Sequence, residues 1–216
     1  MIFSFDTSLE VGSFCFIENN KVIYMESYLK NQSHSSLFPL RVKNALKNMK
    51  KSLKEIKKLV VCVGPGSFTG IKIGLSFAKG IKSALNIKAV GVSTLRSYAY
   101  PYFLYTPTLV ILKAPKNGAY AACFYKLDTL LKEGFYILEN IKKFINDKKE
   151  LFLVGNHPII NELSNTFFKD DLEKPLALNA YYVSKLFPLP LKANYLKEAD
   201  VNLEGVRKIM ERFKIE

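Results

Sequence analysis

Along the first thirty positions apolar and aromatic residues alternate with polar ones, in I-F-S-F-D-T-S, in V-G-S-F-C-F-I-E and in V-I-Y-M-E-S-Y-L, the last two separated by Asn19-Asn20-Lys21. A period of two around an Asn-rich turn predicts two or three antiparallel strands in a meander. From Leu37 to Lys50 the period lengthens. Phe38, Val42, Ala45, Leu46 and Met49 fall on one face and Arg41, Lys43, Lys47 and Lys50 on the other, which predicts an amphipathic helix capped by Ser35 or Ser36. Ser52-x-x-Glu55 has the form of a capping box. The run L-V-V-C-V at Leu59 to Val63 is apolar without alternation, as in a strand buried on both faces.

That strand leads into Gly64-Pro65-Gly66-Ser67-Phe68-Thr69-Gly70, then a helix to about Leu85, then a second apolar strand at Ala89 to Val92 with Ser93 placed to cap a further helix. Strand, glycine loop, helix and strand make a βαβ unit with a right-handed crossover. Beyond Pro101 and Pro107 the pattern predicts a strand through T-L-V-I-L and another through A-Y-A-A-C-F-Y, joined by a hairpin turn at Lys116-Asn117-Gly118. A short strand at Leu151 to Val154 and helices at Ala177 to Phe187 and Val206 to Phe213 complete the reading. The proline-rich stretch divides the chain into a first lobe, 1–100, and a smaller α/β lobe, 101–216, whose last helix is expected to pack back on the first.

With 216 residues, 49% of them hydrophobic and 24% charged, the chain has globular composition. The longest uncharged run, Ser97 to Leu112, is 16 residues and holds two prolines, where a membrane span needs about 20. The N-terminus has no basic leader, so a cytoplasmic protein is expected. Cys15, Cys62 and Cys123 are far apart among apolar neighbours and read as reduced core thiols. Two histidines, His34 and His157, make no zinc pattern, so neither metal nor cofactor is expected. The net charge of +13 is uneven: +3 over 1–55, +10 over 56–127, which has no acidic residue, and zero over 128–216. Such a surface attracts phosphate-rich partners, although 28 of the 32 basic residues are Lys, which also fits a lysine-rich composition.

Glycines between a buried strand and a helix permit a tight turn and can aim amides at a phosphate. The loop lacks the Lys-Ser or Lys-Thr of a Walker A motif, and the acid-free stretch removes the ribose contact of a dinucleotide loop. Packing is the stronger reading: Gly70, Gly74 and Ala78 fall four apart, a smooth stripe where another helix can approach, beside Ile71, Leu75, Ile81 and Leu85. Asp6, Thr7 and Ser8 at the end of the first strand suit a turn and equally a hydrated metal or phosphate. Together with Gly64, Gly66, Ser67, Thr69 and Gly70 they form a candidate nucleotide site, the basis of an alternative reading as an actin-like ATPase or GTPase. A hydrolase elbow at Gly91-Val92-Ser93-Thr94-Leu95 lacks its second glycine, and nothing singles out Asp170, Asp171 or Glu173 beyond a solvated turn.

The order I-F-S-F-D-T-S, H-S-S-L-F-P, V-G-P-G-S-F-T-G-I-K-I-G-L-S-F-A-K-G, V-G-V-S-T-L and, more loosely, L-K-A-N-Y-L-K at Leu191 to Lys197 resembles the TsaB (YeaZ) family, once called glycoprotease-like. The resemblance implies a two-lobed actin-like, ribonuclease-H-like α/β fold with mixed central sheets. It implies a non-catalytic dimerisation subunit of the machinery that makes N6-threonylcarbamoyladenosine in tRNA. In that machinery TsaD holds the reaction centre and TsaE is the ATPase. The implied partners are TsaD, TsaE in a larger complex, a second copy when alone, and tRNA through the complex. The implied partner surface is His34, Leu37, Arg41, Val42 and Ala45 on the first helix with Ile71, Lys72, Gly74, Leu75, Ala78 and Ile81 on the second. Three family motifs are altered: H-S-E is His34-Ser35-Ser36, L-R-I-G is Ile71-Lys72-Ile73-Gly74, and D-A-R is Lys113-Ala114-Pro115. Lys in place of Arg turns a bidentate fork into a point charge.

Overall fold

A computed structural model describes residues 1–29, 34–115, 117–148, 150–162, 169–170 and 176–196, except the side chains of 34–36 and 169–170. The elements in chain order are β1 (Ile2–Asp6), β2 (Val11–Glu18), β3 (Lys21–Leu29), α1 (His34–Asn48), β4 (Lys58–Cys62), α2 (Phe68–Leu85), β5 (Lys88–Val92), α3 (Thr94–Ala99), β6 (Thr108–Lys113), β7 (Gly118–Tyr125), β8 (Asp128–Ile137), α4 (Leu138–Asn146), β9 (Phe152–Gly155), α5 (Ile159–Glu162), β10 (Lys169–Asp170) and α6 (Leu176–Leu186). The helix expected at Val206 to Phe213, the turn residue Lys116 and the acids Asp171 and Glu173 lie outside what is described, and α1 already begins at His34, so Ser35 and Ser36 lie within the helix and not at its cap as expected.

Two five-stranded mixed sheets run in the orders β3-β2-β1-β4-β5 and β10-β9-β6-β7-β8. In each, a three-strand antiparallel meander continues into parallel strands, so the second sheet repeats the topology of the first: a two-lobed, actin-like α/β fold. Asn19 and Asn20 both adopt positive φ at the β2–β3 turn, as an Asn-Asn hairpin allows. The capping box at Ser52 and Glu55 has both of its bonds, and Ser93 accepts from the Arg96 amide at 3.1 Å to cap α3.

Alternation in β1 and β2 divides the first sheet's two faces. Phe3, Phe5, Phe14 and Phe16 point one way and pack beneath α1 and α2, with Phe3 stacked on Phe16 at 4.6 Å and Phe38 of α1 5.0 Å from Phe77 of α2. Ser4, Ser13, Cys15 and Ile17 point the other way, toward α6. That helix follows the second sheet in sequence yet crosses the first. The Ser13 hydroxyl accepts from the Ala177 amide at 3.0 Å, and the Ser4 hydroxyl donates to the Ala177 carbonyl at 2.6 Å. These bonds satisfy two buried serines and a first-turn N–H that the helix itself leaves unpaired. α3 and α6 lie between the sheets in one continuous core that includes Val60, Val92, Leu95, Val110, Ala122, Phe124 and Val183. A third apolar layer, with Ile141 and Ile145 of α4, backs the second sheet.

Past α6 the chain runs as a strap over the first lobe. Leu189 exchanges two backbone hydrogen bonds with Gly91 at 2.8 Å each, and the Asn194 amide donates to the Val63 carbonyl at 2.8 Å. Leu191 and Ala193 cover Val63, Ile71 and Leu75.

Candidate functional site

The structure brings the Asp6–Ser8 segment and the glycine loop together. The Asp6 carboxylate, fully buried, accepts through Oδ1 from the Ser8 amide at 2.9 Å and the Ser8 hydroxyl at 2.6 Å. Ser8 Oγ lies 3.1 Å from the Thr94 hydroxyl. The Thr7 hydroxyl donates to the Gly70 carbonyl at 2.8 Å, and the Ser67 amide donates to the Ser8 carbonyl at 2.7 Å. Burial raises the Cys62 thiol well above its ordinary value, and the nearby Asp6 carboxylate adds to that.

Glycine is required here by contact. A Cβ on Gly70 would collide with the Thr7 carbonyl oxygen, and one on Gly74 would stand 2.5 Å from the Thr7 hydroxyl. Several amides at the junction are turned inward: Ser67 to the Ser8 carbonyl, Gly70 to the Ser67 hydroxyl at 3.3 Å, Ile71 to the Ser67 carbonyl and Thr94 to the Gly64 carbonyl. Thr69, on the exposed first turn of α2, takes no part. Among the described residues no group of three or more His, Cys, Asp or Glu could hold a metal ion.

The small-residue stripe faces the other way from the one expected. Gly70, Gly74 and Ala78, with Ile71, Leu75 and Ile81, are buried against the chain's own sheet and strap. They are therefore not open to a partner, which corrects that part of the expected surface. Ala45 of α1 is likewise buried, Val42 is buried but lines the groove between α1 and α2, and Arg41 is tied to its own lobe by a 2.6 Å ion pair to Glu26 and by its position 4.9 Å over the Tyr28 ring. Leu37 is half-buried and Lys72 exposed, over the Phe68 ring at 3.9 Å; the His34 side chain lies outside the described residues.

What α1 and α2 present outward shares Val42 with the expected set and is otherwise different. Between them runs a groove of about 400 Å³, with Pro39, Val42, Leu46, Leu53 and Phe77 as its apolar lining and Lys43, Lys47 and Lys51 along it. Beside it on α2, Ile73 and Phe77 are half-buried and Ser76 and Gly80 exposed, a face shared at helical spacing. A Cβ on Gly80 would meet nothing within 4 Å. Sequence reasoning missed Pro39, Phe77 and Gly80. The signal was present in Ile73, Phe77, Gly80 and Ala84, which repeat at helical intervals one face round from the chosen stripe.

A half-buried polar cluster links the lobes on the other side of the first sheet. Asn194 of the strap donates to Glu133 of β8 at 3.3 Å, while Arg96 of α3 lies 4.1 Å over both Phe124 and Phe187 and donates to Thr129 at 3.1 Å. Burial pushes the Glu133 carboxyl above its ordinary 4.5, opposed by the Ser93 hydroxyl, the Arg96 guanidinium and the Asn194 amide. The folded chain thus holds that proton more tightly than the unfolded one. This contribution to stability is present in acid and is lost as the pH rises from the unfolded value through the folded one. Glu133→Gln keeps an acceptor without the charge, so the variant should gain Tm over wild type near neutral pH and lose that advantage near pH ~4. Equal shifts at both pH values in thermal melts would contradict the buried charge.

The chain is similar to known proteins over most of its length. The family model described as TsaD: tRNA N6-adenosine threonylcarbamoyltransferase matches residues 28–157. A tRNA threonylcarbamoyladenosine biosynthesis protein TsaB from Buchnera aphidicola of Schizaphis graminum is 30% identical over 165 residues, 72% of this chain and 78% of that one. Another TsaB, from Buchnera aphidicola of Acyrthosiphon pisum, is 25% identical over 217 residues, covering 91% and 97% of the two chains. The crystal structure of YeaZ from Pseudomonas aeruginosa superposes with a TM-score of 0.73 at 19% identity, over 90% of this chain and 99% of that one. Among the described residues no helix is long and apolar enough to cross a membrane.

Proposed function

The chain belongs to the TsaB (YeaZ) family of tRNA threonylcarbamoyladenosine biosynthesis proteins, and from that premise we propose that it is the non-catalytic subunit that pairs with TsaD and activates it. The observation that carries this reading is the groove between α1 and α2, apolar at its base, bordered by lysines and flanked by the bare Gly80. A glycine exposed in mid-helix costs about 1 kcal/mol relative to alanine. Its presence makes sense where a neighbouring helix must come close. A 400 Å³ apolar groove also accepts side chains from that neighbour. The same face would join two copies when TsaD is absent, and TsaE, the ATPase, would join the pair in a larger complex with tRNA.

The closed junction at Asp6, Ser8 and Gly70 supports a structural rather than a chemical role for these motifs. An ATPase or GTPase reading has less support, because the Ser67, Gly70 and Ile71 amides already have partners within the chain. Calorimetry with ATP and magnesium is expected to show no heat. The deciding experiment is reconstitution: adding this chain to its cognate TsaD, with TsaE, ATP and tRNA, should raise threonylcarbamoyladenosine formation at least tenfold. Formation independent of the chain would overturn the proposal.

A further inference from the structure

At the end of the first sheet where β1, β4 and β5 begin, a row of lysines lies on the same side of the sheet as a stacked tyrosine pair. Lys58 and Lys88 are in direct register on neighbouring parallel strands. They lie two residues before Val60 and Val90, so alternation puts all four on the α6 face. Ile2, the register neighbour of Lys58, packs at the margin of the same clusters that Tyr100 and Tyr182 join. Those two tyrosines stack nearly parallel, with centroids 5.3 Å apart and a 4° interplanar angle. Lys185 sits 4.5 Å over Tyr181 and 5.6 Å from the Tyr182 centroid, and both Lys185 and the Tyr181 hydroxyl donate to Asn20. Tyr105, 82% exposed, is an electrostatic neighbour of Tyr100.

Like charges directly opposite on adjacent strands are destabilising. Among the described residues no carboxylate forms an ion pair with Lys58, Lys88 or Lys185, and the 72 residues from 56 to 127 contain no acid. Uncompensated cations on the same side of the sheet as half-exposed tyrosine rings match what single-stranded nucleic acid requires: lysines for phosphates and rings for bases. We propose that this edge is an RNA-binding platform, with Lys58, Lys88 and Lys185 on the phosphodiester backbone and an unpaired base stacking on the Tyr100–Tyr182 pair. The platform rests on the tRNA reading of the function, and it names the surface that would touch the RNA. It lies on the opposite face of the sheet from the α1–α2 groove, so both surfaces can be engaged at once.

The test uses the full chain, alone and bound to TsaD, with a labelled RNA hairpin carrying a single-stranded loop and a blunt RNA duplex of equal length. Hairpin binding should be the tighter. Tyr182→Leu, which keeps an apolar contact, should weaken it about fivefold or more, while Tyr182→Phe restores it. Lys58→Gln with Lys88→Gln should reduce the slope of log affinity against log salt by about 1.4, at ~0.7 per phosphate contact. Unchanged affinity in both variants overturns the platform, as does equal affinity for the duplex, or binding to phosphatidylglycerol vesicles in place of RNA. TsaD association, measured on the same variants, should stay at the wild-type level. If TsaD pairing fails in wild type while the hairpin results hold, the partner reading is wrong and the platform survives.

Discussion

Gly80→Arg should make the isolated chain more stable and at the same time abolish its pairing with TsaD. The two effects have opposite signs, which is what makes the variant informative. Gly80 lies inside the 18-residue helix α2 with open space around the position a Cβ would take, so a better helix former strains nothing. Arg should gain roughly 0.5–1 kcal/mol from backbone propensity alone, which for a chain of this size raises Tm by about 2–4 °C. Across the groove the same side chain would hold a partner helix away and place another cation beside Lys43 and Lys47. A loss of pairing of at least about a hundredfold, or ~3 kcal/mol, is expected in co-purification or calorimetric titration. Gly80→Ala should keep the stability gain and most of the pairing. An Arg variant that pairs normally would move the contact surface elsewhere.

Gly70→Ala should be the most damaging small substitution in the first lobe. Alanine normally helps a helix by about 1 kcal/mol over glycine. Here the added methyl meets the Thr7 backbone carbonyl, which cannot rotate away as a side chain would. Pushing β1's end off α2 would strain or break the Thr7 hydroxyl bond to the Gly70 carbonyl and the Ser67 amide bond to the Ser8 carbonyl. Overpacking costs about 1–3 kcal/mol and each hydrogen bond about 1. The net expected loss is about 2–4 kcal/mol, a fall in Tm on the order of 10 °C in calorimetry or circular dichroism. A variant melting within a degree or two of wild type would show that the junction is loose.

These two glycines also show how far the sequence could be read. The segment from Leu59 to Val92 was legible because every local signal agreed: an apolar strand, a glycine turn, a long periodic helix and a second strand. Periodicity states which residues share a helix face, but it does not say toward what that face points. α2 is apolar on more than one side, and the stripe of smallest residues, Gly70 to Ala78, turned out to fit under the chain's own β1. The outward stripe holding Gly80 was equally periodic and less conspicuous because Ser76 and Lys79 interrupt it. β8 was not anticipated, since D-T-L-L-K-E-G-F-Y-I alternates weakly and carries Gly134 in mid-strand. α4 was missed although Leu138, Ile141 and Ile145 repeat at helical spacing. The contacts of Asn194 and Glu133 are long-range pairings between loop and strand, for which a linear pattern has no signal.

The placement of α6 bears on how the protein is made. Ser4, Ser13, Cys15 and Ile17 leave the ribosome early, while the helix that covers them starts at Leu176 and the strap over Gly91 and Val63 comes later still. Domains ordinarily fold as units while synthesis proceeds, the N-terminal one first. Here the leading sheet must wait with one face uncovered until the stretch from Leu176 onward has been translated. A nascent-chain species of that kind is a natural client for holding chaperones, and severing the chain within 101–107 should give two fragments that precipitate separately and regain solubility only when mixed.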